Sequence, residues 1–252
     1  MKKENIITLY LQQLFYACCL PIIKFFTRYS VEGRGHIADI HKNFIIASNH
    51  VSEIDPVFIR AALPFFSKDT PLYFASNTKE RYRSFGWRSL LYGGALFKAF
   101  GAYPVYKGQN DFKYALQHHL AHLGKGRTVS IFPEGKRSPD GLLGQARAGV
   151  AYLAFTADVP VLPIAIQGLH GITLKDFFLR KRKVMIHIGK PIAPRSIVDA
   201  PIPTFDDYKK GAELVLQHIK SLIENNGVES PLQSLIPAQA EDLPIAVHET
   251  AA

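Results

Sequence analysis

Phe44-Ile45-Ile46-Ala47-Ser48-Asn49-His50-Val51-Ser52-Glu53-Ile54-Asp55-Pro56 is the stretch on which the fold turns. Its first four residues are apolar without alternation, the pattern of a strand covered on both faces. The chain then becomes polar and ends in Asp-Pro, a common way to enter a helix. A buried strand running into a helix start is half of a β-α unit. Further strand-type runs follow at 72–75, 128–132, 161–166 and 184–188, with helical patterns at 112–123, 146–157 and 207–224. Strands alternating with helices predict an α/β domain with a mixed, largely parallel central sheet flanked by helices. At 252 residues, the chain has room for one sizeable domain or at most two small ones.

The same stretch carries chemistry. His50 and Asp55 stand five apart, so one straight helix would not present them together. If His50 lies in a turn and Asp55 in the first helical turn, the carboxylate can hold one imidazole nitrogen. The other nitrogen is then free to take a proton from an alcohol. The residues also read as capping, with Asp55 as N-cap, Pro56 at the first helical position and Ser52 completing a box. A second candidate is Ile131-Phe132-Pro133-Glu134-Gly135-Lys136-Arg137-Ser138, where Pro and Gly turn the chain out of a strand and expose two cations. Two cations beside free backbone N–H groups suit a phosphate, and an ordinary basic turn has the same composition.

Composition narrows the setting. Net charge is +9, and because residues 228–252 hold four acids and no Lys or Arg, the first 227 residues carry +13. Such a surface suits anionic lipid headgroups, phosphorylated substrates, an acidic carrier protein or nucleic acid. The only cysteines, Cys18 and Cys19, are adjacent and form no metal or redox spacing. The segment 6–26 is apolar, is flanked by Lys2, Lys3, Lys24 and Arg28, and contains Gln12, Gln13 and Pro21. It reads as an interfacial or re-entrant anchor, with a full span or a core helix as the alternatives. The expected division is an anchoring segment at 1–30, a domain at 31–227 and a poorly ordered tail at 228–252.

Other motifs carry less. His118 and His122 share a helical face without an evident third ligand, and a solvated face is the expectation. Arg180-Lys181-Arg182-Lys183 reads as a solvated or headgroup-contacting loop, and His187 as a partnered core residue. No GxSxG, GxGxxG, Walker loop or HExxH occurs.

Together, His50-x4-Asp55 and the later Phe-Pro-Glu-Gly-x-Arg-Ser resemble the glycerolipid acyltransferase family, of the lysophosphatidic acid acyltransferase type. Gly101-Ala102-Tyr103-Pro104-Val105-Tyr106-Lys107 resembles that family's second block, and Val159-Pro160-Val161-Leu162-Pro163-Ile164 its fourth. The four blocks occur in family order over roughly residues 40–190. The resemblance implies transfer of a fatty acyl group from acyl-CoA or acyl carrier protein to 1-acylglycerol 3-phosphate, giving phosphatidic acid. It implies His50 as general base and Asp55 as its orienting partner. Glu134, Gly135 and Arg137 would bind the glycerol phosphate, Lys107 would assist, and Pro163 with its strand would serve the acyl chain. No cofactor or metal is implied. The partners would be a lysophospholipid, the acyl donor and an anionic membrane surface, at the cytoplasmic face of the inner or plasma membrane, without nucleic acid. Lys107 replaces the usual Arg and Lys136 the usual Thr, which leaves other acceptors open: glycerol 3-phosphate, another lysophospholipid, an ornithine lipid precursor or a sugar lipid. A non-catalytic basic lipid- or nucleic-acid-binding protein is the reading of another class. Such a protein would tolerate loss of His50 and would bind in a salt-dependent way without turnover.

Overall fold

The computed structural model describes residues 3–65, 67, 69–78, 95–106 and 111–225. Lys107 and the expected tail at 228–252 lie outside them. In chain order the elements are α1 (Lys3–Thr27), β1 (Ser30–Glu32), α2 (Gly35–Ala38), β2 (Ile45–Ser48), α3 (Asp55–Ala62), β3 (Tyr73–Ser76), α4 (Ala95–Ala99) and β4 (Ala102–Pro104). They continue with α5 (Phe112–Ala115), α6 (Gln117–Leu123), β5 (Val129–Ile131), α7 (Gly149–Ala157), β6 (Val161–Gln167), α8 (Leu174–Phe178), β7 (Met185–Ile188), α9 (Pro194–Ile197) and α10 (Phe205–Asn225).

The strands form one sheet in the order β1-β7-β6-β2-β5-β3-β4. Five strands run parallel, β7 is antiparallel to β6, and β1 follows β7. The sheet is therefore mixed and largely parallel, as the apolar runs predict. The short edge strands β1 and β4 were not among the predicted ones; three residues are too few to set a pattern. The predicted helix at 112–123 is broken at Leu116, whose backbone departs from helical geometry (φ −113°), giving α5 and α6. The one predicted at 146–157 starts only at Gly149.

β2 occupies the centre, between β6 and β5. All four of its residues are buried, and successive side chains enter opposite layers. Ile46 joins Phe58, Ile59, Leu162 and Ile164 beneath α3, while Ile45 and Ala47 join Val129, Leu153, Val215 and Ile219 beneath α7 and α10. α10 starts at a box in which Thr204 N–H and hydroxyl donate to Asp207 Oδ2 (2.8 and 2.7 Å). It packs tightly because Gly211 faces Ile197: a Cβ there would stand 2.5 Å from the Ile197 carbonyl oxygen.

α1 lies along the domain, and its two glutamines explain why. Gln12 Nε2 donates to the carbonyls of Leu72 (2.8 Å) and Phe100 (2.9 Å), while Gln12 Oε1 accepts from Leu72 N–H (2.9 Å). Gln13 Nε2 donates to the Phe65 carbonyl at 2.9 Å. Thr8, Gln12, Ile23 and Thr27 are buried on this face; Ile7, Tyr10, Leu14, Ile22 and Phe25 are exposed on the other. The helix is long and apolar enough to cross a membrane (residues 6–27, mean hydropathy 1.7). A crossing in this arrangement would carry α3 and α4 into the bilayer with it.

The histidine face is a correction. Where a solvated surface is predicted, α6 instead packs on β3 and β4. The His122 ring stacks 3.7 Å from that of Tyr73, and Arg127 Nη1 lies 3.0 Å from His122 Nδ1. Burial first, then Arg127, lowers its pKa to about 3. Fully buried His119 is held down to about 4 by desolvation. His118 remains at the rim, with Nε2 3.3 Å from the Tyr106 hydroxyl. Among the described residues no group of three or more His, Cys, Asp or Glu is placed to hold a metal. His187 is buried, its Nδ1 3.2 Å from Glu32 Oε2 across the β1–β7 pair.

Candidate active site

The chain leaves β2, β5 and β6 at the same end of the sheet, the end where open α/β sheets place their sites. β5 and β6 flank β2 although they are consecutive in the chain, so their loops converge on the β2 exit. Asn49 makes the first tie. Its Nδ2 donates to the Ile166 carbonyl (2.9 Å) and its Oδ1 accepts from Ile166 N–H (2.7 Å), extending the β2–β6 pairing by a side chain.

His50 follows and is held at four points. Its N–H donates to Glu134 Oε1 (2.9 Å), its carbonyl accepts from Ser138 N–H (2.8 Å), and its ring stacks on Phe132 with centroids 4.0 Å apart. Nδ1 lies 2.8 Å from Asp55 Oδ2. The same Asp55 oxygen accepts from the N–H groups of Val51 (2.8 Å) and Ser52 (2.9 Å). Asp55 is therefore not the N-cap, although its bond from Ser52 N–H is one half of the expected box. Ile54 is the N-cap of α3, and Asp55, the first helical residue and wholly buried, turns its carboxylate back onto the preceding turn. With Nδ1–H donating to the carboxylate, Nε2 is the basic nitrogen of a neutral ring. It has no hydrogen-bond partner among the described residues, and the side chain keeps 22% of its surface exposed.

Glu134 lies deep beneath the loop. It is buried, and its second oxygen accepts from Gly144 N–H at 2.8 Å. Burial raises its pKa, opposed by the N–H groups of Gly144 and His50. Both oxygens accept from backbone, and Glu134 thereby fastens the β5 loop to the His50 turn. Gly135 adopts φ +66°, and a Cβ there would meet the Arg147 side chain at 3.1 Å. The conformation favours glycine, and any Cβ would also oblige the Arg147 side chain to shift. Arg137 projects from the loop, half exposed, with Nη1 3.0 Å from Glu53 Oε1. Glu53 belongs to the His50–Asp55 turn, so the two motifs also meet at the surface.

Pro163 is a sheet residue, buried and paired with Ala47, its carbonyl accepting from Gly189 N–H at 2.9 Å. The continuation of its strand is what reaches the site. Leu169, His170 and Ile172 line a cleft of about 310 Å³ together with Val51, Ser52 and Arg137. Sequence reading missed Asn49, Glu53 and this β6 loop. Their partners lie 117, 84 and about 120 residues away in the chain, and no local pattern announces them.

Comparison with known proteins fits this placement. The family model described as Acyltransferase matches residues 28–167. The 1-acyl-sn-glycerol-3-phosphate acyltransferase of Pseudomonas aeruginosa is 35% identical over 144 residues, 55% of this chain and 49% of that protein. The human 1-acyl-sn-glycerol-3-phosphate acyltransferase beta is 24% identical over 191 residues, 73% of this chain and 63% of that one. In both of these relatives the match spans less than two thirds of that protein's own length. The crystal structure of the 1-acyl-sn-glycerophosphate acyltransferase PlsC from Thermotoga maritima shares the fold: TM-score 0.60, 22% identity, 88% of this chain and 81% of that chain covered. The family model covers more than half of the chain and contains both motifs whose side chains meet at the β2 exit, so the chain belongs to the acyltransferase family.

Proposed function

We propose that the protein transfers a fatty acyl group from the thioester of acyl-CoA or acyl carrier protein to the free hydroxyl of 1-acylglycerol 3-phosphate, forming phosphatidic acid. The observation that carries this reading is the 2.8 Å contact between His50 Nδ1 and Asp55 Oδ2, which fixes the tautomer and leaves Nε2 as a base. His50 Nε2 takes the proton of the acceptor hydroxyl as the oxygen bonds to the thioester carbonyl carbon. The tetrahedral intermediate collapses, the carbon–sulfur bond breaks, and the departing thiolate receives the proton held by His50. Asp55 stabilises the imidazolium between those steps. The substrate hydroxyl occupies the role that an enzyme serine has in a triad, so no covalent enzyme intermediate forms.

Arg137, with Lys136 and Lys107, supplies positive charge for the acceptor phosphate. Glu134 and Gly135 shape that loop. The uncovered apolar face of α1 supports interfacial attachment to a membrane, where a lysolipid acceptor and its product reside. The default surface for the reaction is the cytoplasmic face of the inner or plasma membrane.

Incubating the purified full-length chain with both donors against a panel of lysolipids and glycerol 3-phosphate tests the assignment. Phosphatidic acid should form from 1-acylglycerol 3-phosphate in preference to the other products. Preferential acylation of a different acceptor overturns the substrate, and absence of thioester consumption with every acceptor overturns the reaction.

A further inference from the structure

We propose that α8 and the basic loop after it form a second bilayer-docking surface, which opens the cleft beside His50 onto an anionic membrane. The inference rests on the membrane reading above and identifies which part of the domain, apart from α1, meets the lipid.

Three observations converge. First, α8 and its C-cap Leu179 display apolar side chains to solvent: Leu174 is 78% exposed, Phe178 60% and Leu179 57%. Its first turn is fixed by reciprocal hydrogen bonds between Thr173 and Asp176, so these side chains are held outward by a formed helix. Second, this apolar surface is continuous with the uncovered face of α1. Phe26 lies 5.1 Å from Phe177 and 5.3 Å from Phe178, ring to ring, and Phe25, 56% exposed, lies 4.9 Å from Phe26. Third, the patch is rimmed by cations. Arg180 is placed with its guanidinium 4.6 Å from the centre of the Phe25 ring. Lys181, Arg182 and Lys183 follow directly, and Lys175 lies within α8. The acid among them, Asp176, is occupied by the Thr173 cap.

Exposed aromatic and aliphatic side chains ringed by Lys and Arg match the interface of a bilayer containing anionic lipid: apolar groups enter the acyl boundary while the cations meet phosphate. An acidic protein partner would match the charge but leave Leu174 and Phe178 without a comparable apolar environment. The position of α8 links docking to chemistry. Leu169–Ile172 line the cleft, and Leu174 follows only two residues after Ile172, a separation of at most ~7 Å between Cα atoms. A lipid acceptor leaving the bilayer beside α8 therefore starts next to the cleft wall.

A depth measurement on the full-length chain tests this without relying on turnover. Leu174→Trp places an indole on the patch, and its signal is the difference from the parent protein, which carries Trp87. With vesicles of phosphatidylcholine and phosphatidylglycerol, the added emission should shift to the blue and be quenched by lipids brominated in their acyl chains. Lys181→Glu combined with Arg182→Glu should weaken binding to these vesicles about tenfold, with little change on phosphatidylcholine alone. Phe178→Ser should weaken binding to both vesicle types. All variants should keep parental turnover with a short-chain, water-soluble acceptor. If the indole stays unquenched while the protein is vesicle-bound, α1 alone docks and the inference fails. If the charge reversals impair only reactions with the carrier-protein donor, the surface belongs to that protein and the inference also fails. Absence of turnover in the parent protein would defeat the proposed function and leave the quenching result unaffected.

Discussion

The two halves of the candidate site are built differently. The base half is buried and over-determined: Asp55 Oδ2 accepts three hydrogen bonds, and His50 is held through its amide, carbonyl, ring face and Nδ1. The cationic half is a single ion pair between Arg137 and Glu53, both side chains 49% exposed. Proton transfer tolerates little misplacement, so the base must be positioned before the substrate arrives. A phosphate attracts a cation over a longer range and can draw an exposed Arg into place. Under the proposed function, the difference places reaction type in the enclosed half and acceptor preference in the exposed half.

Removing the base should break the comparison most sharply. His50→Ala should lower kcat roughly a thousandfold or more, with the fold retained, because the ring is replaced at a partly exposed position. Asp55→Asn should cost nearly as much by misorienting the imidazole. A folded His50→Ala protein with near-parental turnover would eliminate the mechanism; circular dichroism and steady-state rates together decide.

The joint between the halves comes next. Glu134→Gln keeps the size but turns one accepting oxygen into a donor that faces an N–H of His50 or Gly144. The expected loss in kcat is about 10- to 100-fold with little change in acceptor KM. A rise in KM as the main effect would return Glu134 to direct contact with the acceptor.

Arg137→Ala should raise the acceptor KM about tenfold and the donor KM much less. If donor saturation suffers instead, the phosphate site lies elsewhere. The smallest effect belongs to Glu53→Gln, which removes a negative charge beside the incoming phosphate. It should lower the acceptor KM about 2- to 5-fold at low ionic strength. The gain should shrink in high salt, whereas the His50 and Asp55 losses should not. Salt-insensitive behaviour of Glu53→Gln would mean that the ion pair shapes the loop and does not compete with the acceptor.

Much of this was legible in the chain itself. The uninterrupted apolar run at 44–47 announced a strand buried on both faces, because a residue with no solvent face carries no polar alternation. His50, Asp55, Glu134 and Arg137 stood out through residue type and spacing, and their order with the other blocks pointed to the family. What remained open was wherever two local readings share the same residues. Asp55 read as a helix cap or as an orienting carboxylate, and only the fold showed it turned back onto Val51, Ser52 and His50. Gln12 and Gln13 weakened the reading of α1 as a span without saying what they bind; Leu72, Phe100 and Phe65, 52 to 88 residues away, supply the answer. His122 looked solvated because a helical face shows its own neighbours and not the strand that covers it. Periodicity and motif spacing report the backbone and the nearest turn, so the sequence alone determined the element types and the reactive groups. Which side chains are buried, which partners complete them and which face remains uncovered depend on contacts distant in the chain, and those the tertiary structure decided.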